Sequence, residues 1–128
     1  MGLDMCLMGE RLIRRVDPKD ALPPEWTTRL FGRWWDHLNL HEFIMGHFGD
    51  ETKDECQRIG LDLPHLMEIL EAVEKDKLPL IERPEKSSPK QKQRTIGIFK
   101  KAKEWLLTEP NAVQKSVYYQ ASRVDDAG

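Results

Sequence analysis

The hydrophobic spacing of this chain switches between two periods, and that switch limits the folds it can adopt. Apolar residues occupy every second position from Leu3 to Leu7 and from Val117 to Ala121, as in strands with one buried face. They follow helical spacing from Leu63 to Val73 and from Ile98 to Leu106. The mixture predicts an α+β fold, with about three helices packed on one face of a mixed or antiparallel sheet of about four strands.

Capping residues predict where the helices begin and end. Asn39 has the side chain of an N-cap, and Gly49 can end the helix that follows it. Asp62 is expected to cap the second helix, and Pro64 is tolerated in the first turn of that helix. A third helix is expected over residues 95–107, where apolar residues return to helical spacing.

Two further strands and one irregular loop are expected between these elements. Trp26 to Trp35 is rich in Thr, Phe and Trp, which favour strands. Cys56 to Leu61 predicts a short strand, and the last strand is expected over 116–123. Gly9 marks a bulge or bend in the first strand. Residues 78–94 contain three prolines and predict an irregular loop.

The composition is that of one folded domain. The chain has 128 residues, of which 39% are hydrophobic and 33% charged, with a formal net charge of −2. We expect a single domain over residues 1–124 and a loose tail at 125–128. With no apolar run of roughly 18–20 residues and no basic leader before an apolar stretch, we expect a cytoplasmic protein that does not bind membranes.

Four side chains raise the question of a metal site. His37, His41, His47 and Cys56 are residue types that bind zinc. Asn39 as an N-cap would place His37 outside the helix and so separate it from the face of His41. His47 lies on the apolar stripe and is expected at the core or its rim. We therefore expect neither a metal nor a cofactor.

The two cysteines, Cys6 and Cys56, are both expected in strands as reduced thiols. A catalytic cysteine needs a histidine or a helix N-terminus nearby to lower its pKa, and sequence alone cannot place a histidine beside either of these two. We expect no catalytic residue, and a small metal-dependent enzyme ranks last among the functions considered.

Basic residues are concentrated near the third helix. The segment 83–103 carries eight basic residues against Glu85, a local charge of +7. The basic residues are Arg83, Lys86, Lys90, Lys92, Arg94, Lys100, Lys101 and Lys103. Such a segment could contact nucleic acid through phosphates, contact an acidic protein surface, or simply be solvated. No aromatic residue is interleaved before Phe99, so the pattern for stacking bases is missing.

The adjacent tryptophans Trp34 and Trp35 form a second unusual feature. Neighbouring residues of a strand point to opposite faces, so one of the two is expected under the helices. The other would lie on the uncovered face near Arg33, a composition typical of binding hot spots. The alternative is that a loop or a second subunit shields it.

Several segments resemble a family of small phage and prophage proteins that begin MGLDMYL. The resemblance lies in MGLDM at the start, WDHLNLHEFI from Trp35, CQRI from Cys56, the Asp62–Pro79 helix and SVYYQAS from Ser116. It covers most of the chain and implies a phage or prophage origin, without an established activity. Members often carry the label phosphoglycerate kinase, which a chain of this length without a Gly-rich phosphate loop does not fit.

The sequence departs from that family at two places. Cys6 stands where Tyr is usual, and Ile81 to Arg94 replaces a Phe/Gly-rich strand. Together these features predict a phage accessory protein that binds a host protein or complex, and that modulates or inhibits a bacterial process such as an anti-phage defence. The alternative is a nucleic-acid-binding protein that uses segment 83–103. The candidate partner-binding residues are Arg33, Trp34, Trp35, Arg83, Lys86, Lys90, Lys92, Arg94, Lys100 and Lys101.

Overall fold

The structure is a computed structural model, and it describes residues 2–14, 25–50, 57–79, 89–108 and 114–124. Its elements in chain order are β1 (Gly2–Arg14), β2 (Glu25–Trp35), α1 (Leu38–Phe48), β3 (Arg58–Leu61), α2 (Leu63–Glu74), α3 (Pro89–Leu107) and β4 (Lys115–Val124). The expected α+β class is confirmed. No helix within these residues is both long and apolar enough to span a membrane.

The four described strands form one sheet in the order β2-β1-β4-β3, and every neighbouring pair is antiparallel. The long strands β1 and β4 pair in the centre from Gly2↔Val124 to Arg11↔Lys115. The edges are therefore β2 on one side and the short strand β3 on the other.

The core lies between one face of the sheet and the helices. On β1, Leu3, Met5 and Leu7 are buried, and Tyr119 of β4, which pairs with Leu7, is fully buried. Phe99 of α3 is also fully buried. Because strand side chains alternate, the even-numbered residues of β1 point to the other face, away from the helices.

The start predicted for α1 is wrong. Its N-cap is His37 rather than Asn39, and Asn39 lies buried in the first turn. The cause lies in Asp36, which has a left-handed φ of 54° and ends β2 abruptly. Its carboxylate accepts a 2.6 Å hydrogen bond from the backbone N–H of Leu3, which fixes this turn against β1. The helix consequently begins at once, and Gly49 ends it as expected.

The second helix forms as predicted, and the third begins earlier. Asp62 is the N-cap of α2 and forms a capping box with His65. The expectation of a loop up to Arg94 is wrong, because α3 begins at Pro89. Proline fits the first turn of a helix, where its missing N–H costs nothing. Of the rest of the expected loop, residues 78–79 are described and lie outside helices and strands, as expected, whereas residues 80–88 and the tail at 125–128 lie outside the described residues.

The first strand runs without the predicted bend at Gly9. Gly9 instead gives room to Trp105, since a Cβ there would lie 2.9 Å from its ring. One irregularity falls on β2, where Leu7 pairs with Gly32 and Met8 with Leu30, so that Phe31 is an extra, bulged residue. A second falls near the end of β1, where Leu12 pairs with Trp26 and Arg14 with Glu25, so that Ile13 is the extra residue. The strand expected from Cys56 is described from Arg58, and Cys56 lies outside the described residues.

Candidate partner-binding surface

The tryptophan pair divides between the two faces of the sheet, as strand alternation predicts. Trp34 is buried, stacks on Phe99 with ring centroids 5.6 Å apart, and donates from Nε1 to the hydroxyl of Thr95 at 3.0 Å. Trp35 is 54% exposed and lies across Gly2, where a Cβ would clash with its indole. Trp34 is therefore a core residue, and only Trp35 can meet a partner.

Strand β2 carries large apolar side chains that are exposed to solvent. Five large apolar side chains are exposed among the described residues, and three of them lie on β2. We call these three, Trp26, Leu30 and Trp35, the β2 apolar surface. Their partners in β1 are Leu12, Met8 and Asp4, which are all even-numbered. The β2 apolar surface therefore lies on the face of the sheet opposite the helices.

Ion pairs neutralise the charges beside this surface. Arg33 donates to Asp4 at 2.6 Å, and the Asp4 carboxylate raises the pKa of its guanidinium. Arg58 of β3 pairs with Glu10 at 2.6 Å and stacks on Tyr118, 3.5 Å from the ring centroid. This face thus offers aromatic and aliphatic area between paired charges, as the centres of protein interfaces do.

The basic residues of α3 divide between two sides of the helix. Lys92 lies on the α2 side and pairs with Asp76 at 3.1 Å. Lys100 and Lys103 line an open groove of about 580 Å³ together with acidic residues of α2. The acidic residues of that groove are Glu68, Glu71 and Glu74. These three lysines therefore face negative charge within the molecule and add little to an outward basic patch.

The other basic residues of α3 face the β2 side. Lys90, Arg94 and Lys101 share one helix face by their spacing and are exposed. Arg94 reaches the sheet, where Nη2 donates to the backbone carbonyl of Arg33. Arg83 and Lys86, which were also expected at the site, lie outside the described residues.

Lys101 is part of a groove that the sequence did not suggest. The groove has a volume of about 350 Å³ and lies between the sheet and the C-terminal half of α3. We call it the basic groove, and it is lined by Arg11, Arg29, Lys101, Glu104, Trp105 and Thr108. Its lining thus contains three basic side chains and one carboxylate.

Comparison with protein-family models, curated proteins and solved structures finds no match to this chain. Its function has to be inferred from the surface itself.

The histidines serve the core and its rim. Nδ1 of His41 and the hydroxyl of Tyr119 form a buried hydrogen bond of 2.5 Å, and burial raises the pKa of Tyr119. His37 is buried, which lowers its pKa to about 4. His47 is exposed and stacks on Phe43 with centroids 4.0 Å apart, at the rim as expected. Within the described residues, no three His, Cys, Asp or Glu side chains are grouped as metal ligands.

Cys6 has the environment of an unreactive thiol. It lies half-buried on the face opposite the helices, opposite Arg33 in the pairing of β1 with β2. Burial, with a smaller effect from the Asp4 carboxylate, raises its pKa. Because the thiolate is the nucleophile, a thiol with a raised pKa is poorly suited to covalent catalysis.

Proposed function

We propose that this chain is a protein-binding module that docks a partner on the β2 apolar surface. One observation carries the proposal: Trp26, Leu30 and Trp35 are 45%, 49% and 54% exposed and lie on one face of one edge strand. Tryptophan is enriched at interface hot spots, and a row of exposed apolar side chains along one face of an edge strand is a candidate interaction surface.

The biological role that fits this module is that of a phage or prophage accessory protein acting in the bacterial cytoplasm. Its partner is a host protein or protein complex, and binding modulates or inhibits a bacterial process such as an anti-phage defence. The resemblance of the sequence to small phage proteins supports this role. Binding rather than catalysis is favoured because His37 and His41 are buried and Cys6 has a raised pKa.

A capture experiment with matched variants tests the module. The purified chain is immobilised and incubated with bacterial lysate, beside the variants Leu30→Glu and Met67→Glu. Both side chains are 49% exposed, so the two substitutions perturb the fold similarly but lie on different surfaces. A host protein retained by the wild type and Met67→Glu and lost by Leu30→Glu supports the proposal. Equal retention by all three, or retention of nothing, refutes it.

The basic groove favours nucleic-acid binding as a second candidate, because Arg11, Arg29 and Lys101 line one concave site. Its test is a salt-sensitive shift of a DNA or RNA oligonucleotide. The triple variant Arg11→Ala, Arg29→Ala, Lys101→Ala is expected to abolish the shift. The control Lys100→Ala, Lys103→Ala removes two cations that face acidic residues of α2 and is expected to preserve it. An identical shift with both variants refutes this candidate.

A further inference from the structure

The outer edge of β2 has no partner strand among the described residues. One hydrogen bond shows which backbone groups of β2 point towards β1 and which point outward. Just after the C-terminal end of β2, the N–H of Asp36 donates to the carbonyl of Leu3 at 2.9 Å. Asp4 and Trp35 are then a non-hydrogen-bonded pair, and residues of β2 that pair with even-numbered residues of β1 direct their backbone groups outward. The contact of Arg94 with the carbonyl of Arg33 has this direction.

The bulge and Arg94 divide this edge into two parts. Beyond the bulged Phe31, the outward residues are Leu30, Thr28 and Trp26, which pair with Met8, Glu10 and Leu12. On the other side of the bulge, the guanidinium of Arg94 covers the edge at Arg33. The part from Trp26 to Leu30 therefore presents outward N–H and C=O groups that no described side chain caps, and we call it the open edge.

Opposite kinds of surface flank the open edge on its two sides. On the face opposite the helices, Trp26 and Leu30 are about half exposed. On the helix side, Arg29 lines the basic groove together with Lys101 and Arg11. A strand added here would alternate its side chains between an apolar surface and a positively charged one.

We propose that the open edge accepts an extended acidic segment of the partner protein as an added strand. Its apolar side chains pack on Trp26 and Leu30, and its carboxylates on alternate positions face Arg29 and Lys101. Backbone hydrogen bonds supply affinity in this mode, and the alternating side chains supply specificity. This inference rests on the proposed function and names the class of partner.

Charge complementarity favours an acidic segment over a second copy of this chain. Antiparallel pairing of two copies about Thr28 would place Trp26 opposite Leu30 of the other copy. It would also put two sets of Arg29 and Lys101 on the same side of the joined sheet. Like charges across neighbouring strands are destabilising, whereas carboxylates in those positions are attracted to both cations.

The test uses the full chain and a synthetic heptapeptide that alternates glutamate and valine, with blocked ends. Hydrogen exchange, followed by NMR, reports on each amide of β2. Adding the peptide is expected to slow exchange at least about tenfold at Trp26, Thr28 and Leu30. The amides of Thr27 and Arg29 already point to β1 and are expected to keep their rates. Unchanged exchange at the three outward amides overturns the proposal.

Two variants at Thr28 separate the backbone from the side chain. Thr28→Pro removes one outward N–H, in an edge position that proline tolerates, and is expected to weaken peptide binding at least about tenfold. Thr28→Val keeps the backbone N–H and is expected to bind the peptide within about twofold of the wild-type affinity. Equal binding by the proline variant overturns the proposal, provided that circular dichroism shows it folded.

Charge variants keep the proposal testable if Thr28→Pro does not fold. Arg29→Gln with Lys101→Gln is expected to weaken binding about tenfold and to reduce its salt dependence. Lys100→Gln with Lys103→Gln is the control. A lysine-valine heptapeptide that binds as well as the glutamate peptide overturns the proposal. So does protection of the three outward amides by oligothymidylate or by raised protein concentration alone, which would assign the edge to nucleic acid or to a second copy.

The two proposals can fail separately. If Leu30→Glu abolishes capture of a host protein while the peptide leaves the outward amides unprotected, the β2 apolar surface is the interface but strand addition is wrong. If the peptide protects the amides and all variants capture the same host proteins, strand addition is a property of the edge that the captured partner does not use.

Discussion

Thr95 lies fully buried under β2 and joins two elements through one hydroxyl. It accepts from Nε1 of Trp34 at 3.0 Å and donates to the carbonyl of Gln91 at 2.8 Å. Thr95→Val keeps the shape but leaves the indole N–H buried without this acceptor. The free energy of unfolding in urea is expected to fall by about 1–3 kcal/mol. Thr108→Val, which alters an exposed hydroxyl directly after α3, is expected to change it by less than about 0.5 kcal/mol.

His37 gives the fold a dependence on pH. Burial lowers its pKa from 6.5 to about 4, so the unfolded chain binds a proton that the folded chain excludes. The cost of keeping His37 neutral is absent above pH 6.5. As the pH falls from 6.5 towards 4, this cost lowers the free energy of unfolding by about 3 kcal/mol in all. Its position at the N-terminus of α1 acts in the same direction, since the helix dipole disfavours a cation there.

Urea unfolding at several pH values between 4 and 6.5 measures this loss. His37→Gln is expected to flatten the dependence, while His47→Gln, at an exposed position, is expected to preserve it. A slope that is the same in all three proteins would assign the pH dependence to other groups.

At the scale of elements, the contact between α3 and β2 depends on a residue without a side chain. A Cβ on Gly32 would overlap Ile98, with Cγ1 at 2.6 Å. Gly32→Ala is therefore expected to push α3 off the sheet and to lower the free energy of unfolding by about 1–3 kcal/mol. Gly97 lies on the same helix with no atom within 4 Å of an added Cβ. Gly97→Ala is expected to stabilise by about 0.5–1 kcal/mol through helix propensity. Equal effects of the two substitutions in urea unfolding would contradict this account.

Elements that contain their own start signal were predictable from the sequence. The second helix has a capping aspartate, a proline in its first turn and a continuous apolar stripe, and all three signals lie within Asp62–Val73. The helical spacing from Leu63 to Val73 includes Met67 among the residues expected to be buried, yet Met67 is 49% exposed. The early start of α1 was not predictable, because it depends on the contact between Asp36 and Leu3, residues far apart in the chain.

The candidate surface was only partly predictable, for the same reason. Alternation placed Trp34 and Trp35 on opposite faces, but it could not say which one was buried. Neighbouring Lys100 and Lys101 look equivalent in sequence, yet one faces the acids of α2 and the other lines the basic groove. Arg29, in that groove, was missed, and only its alternation with Leu30 in a strand hinted at a two-sided edge.

For the whole molecule, the β2 apolar surface is expected to bind a hydrophobic dye, a property that can be measured without a partner protein. Trp26 and Leu30 are about half exposed, so replacing both by lysine removes surface that contacts water already. The double variant Trp26→Lys, Leu30→Lys is expected to bind less of the dye ANS and to keep its unfolding temperature within about 4 °C. The matched variant Met67→Lys, Leu107→Lys changes the two large apolar residues that are exposed outside β2 among the described residues. A greater loss of ANS binding in that variant would show that the main exposed apolar surface lies outside β2.

The pairing of β1 with β4 at the centre of the sheet has a consequence for synthesis on the ribosome. A nascent chain that has released β1 through α3 lacks the strand that joins β1 to β3. Leu3, Met5 and Leu7 then have no neighbour on that side, and the hairpin of β1 and β2 offers a second free edge to other nascent chains. Until Lys115–Val124 has been made and pairs with β1, this second edge is therefore expected to favour aggregation, and slow translation of β4 would prolong the exposure.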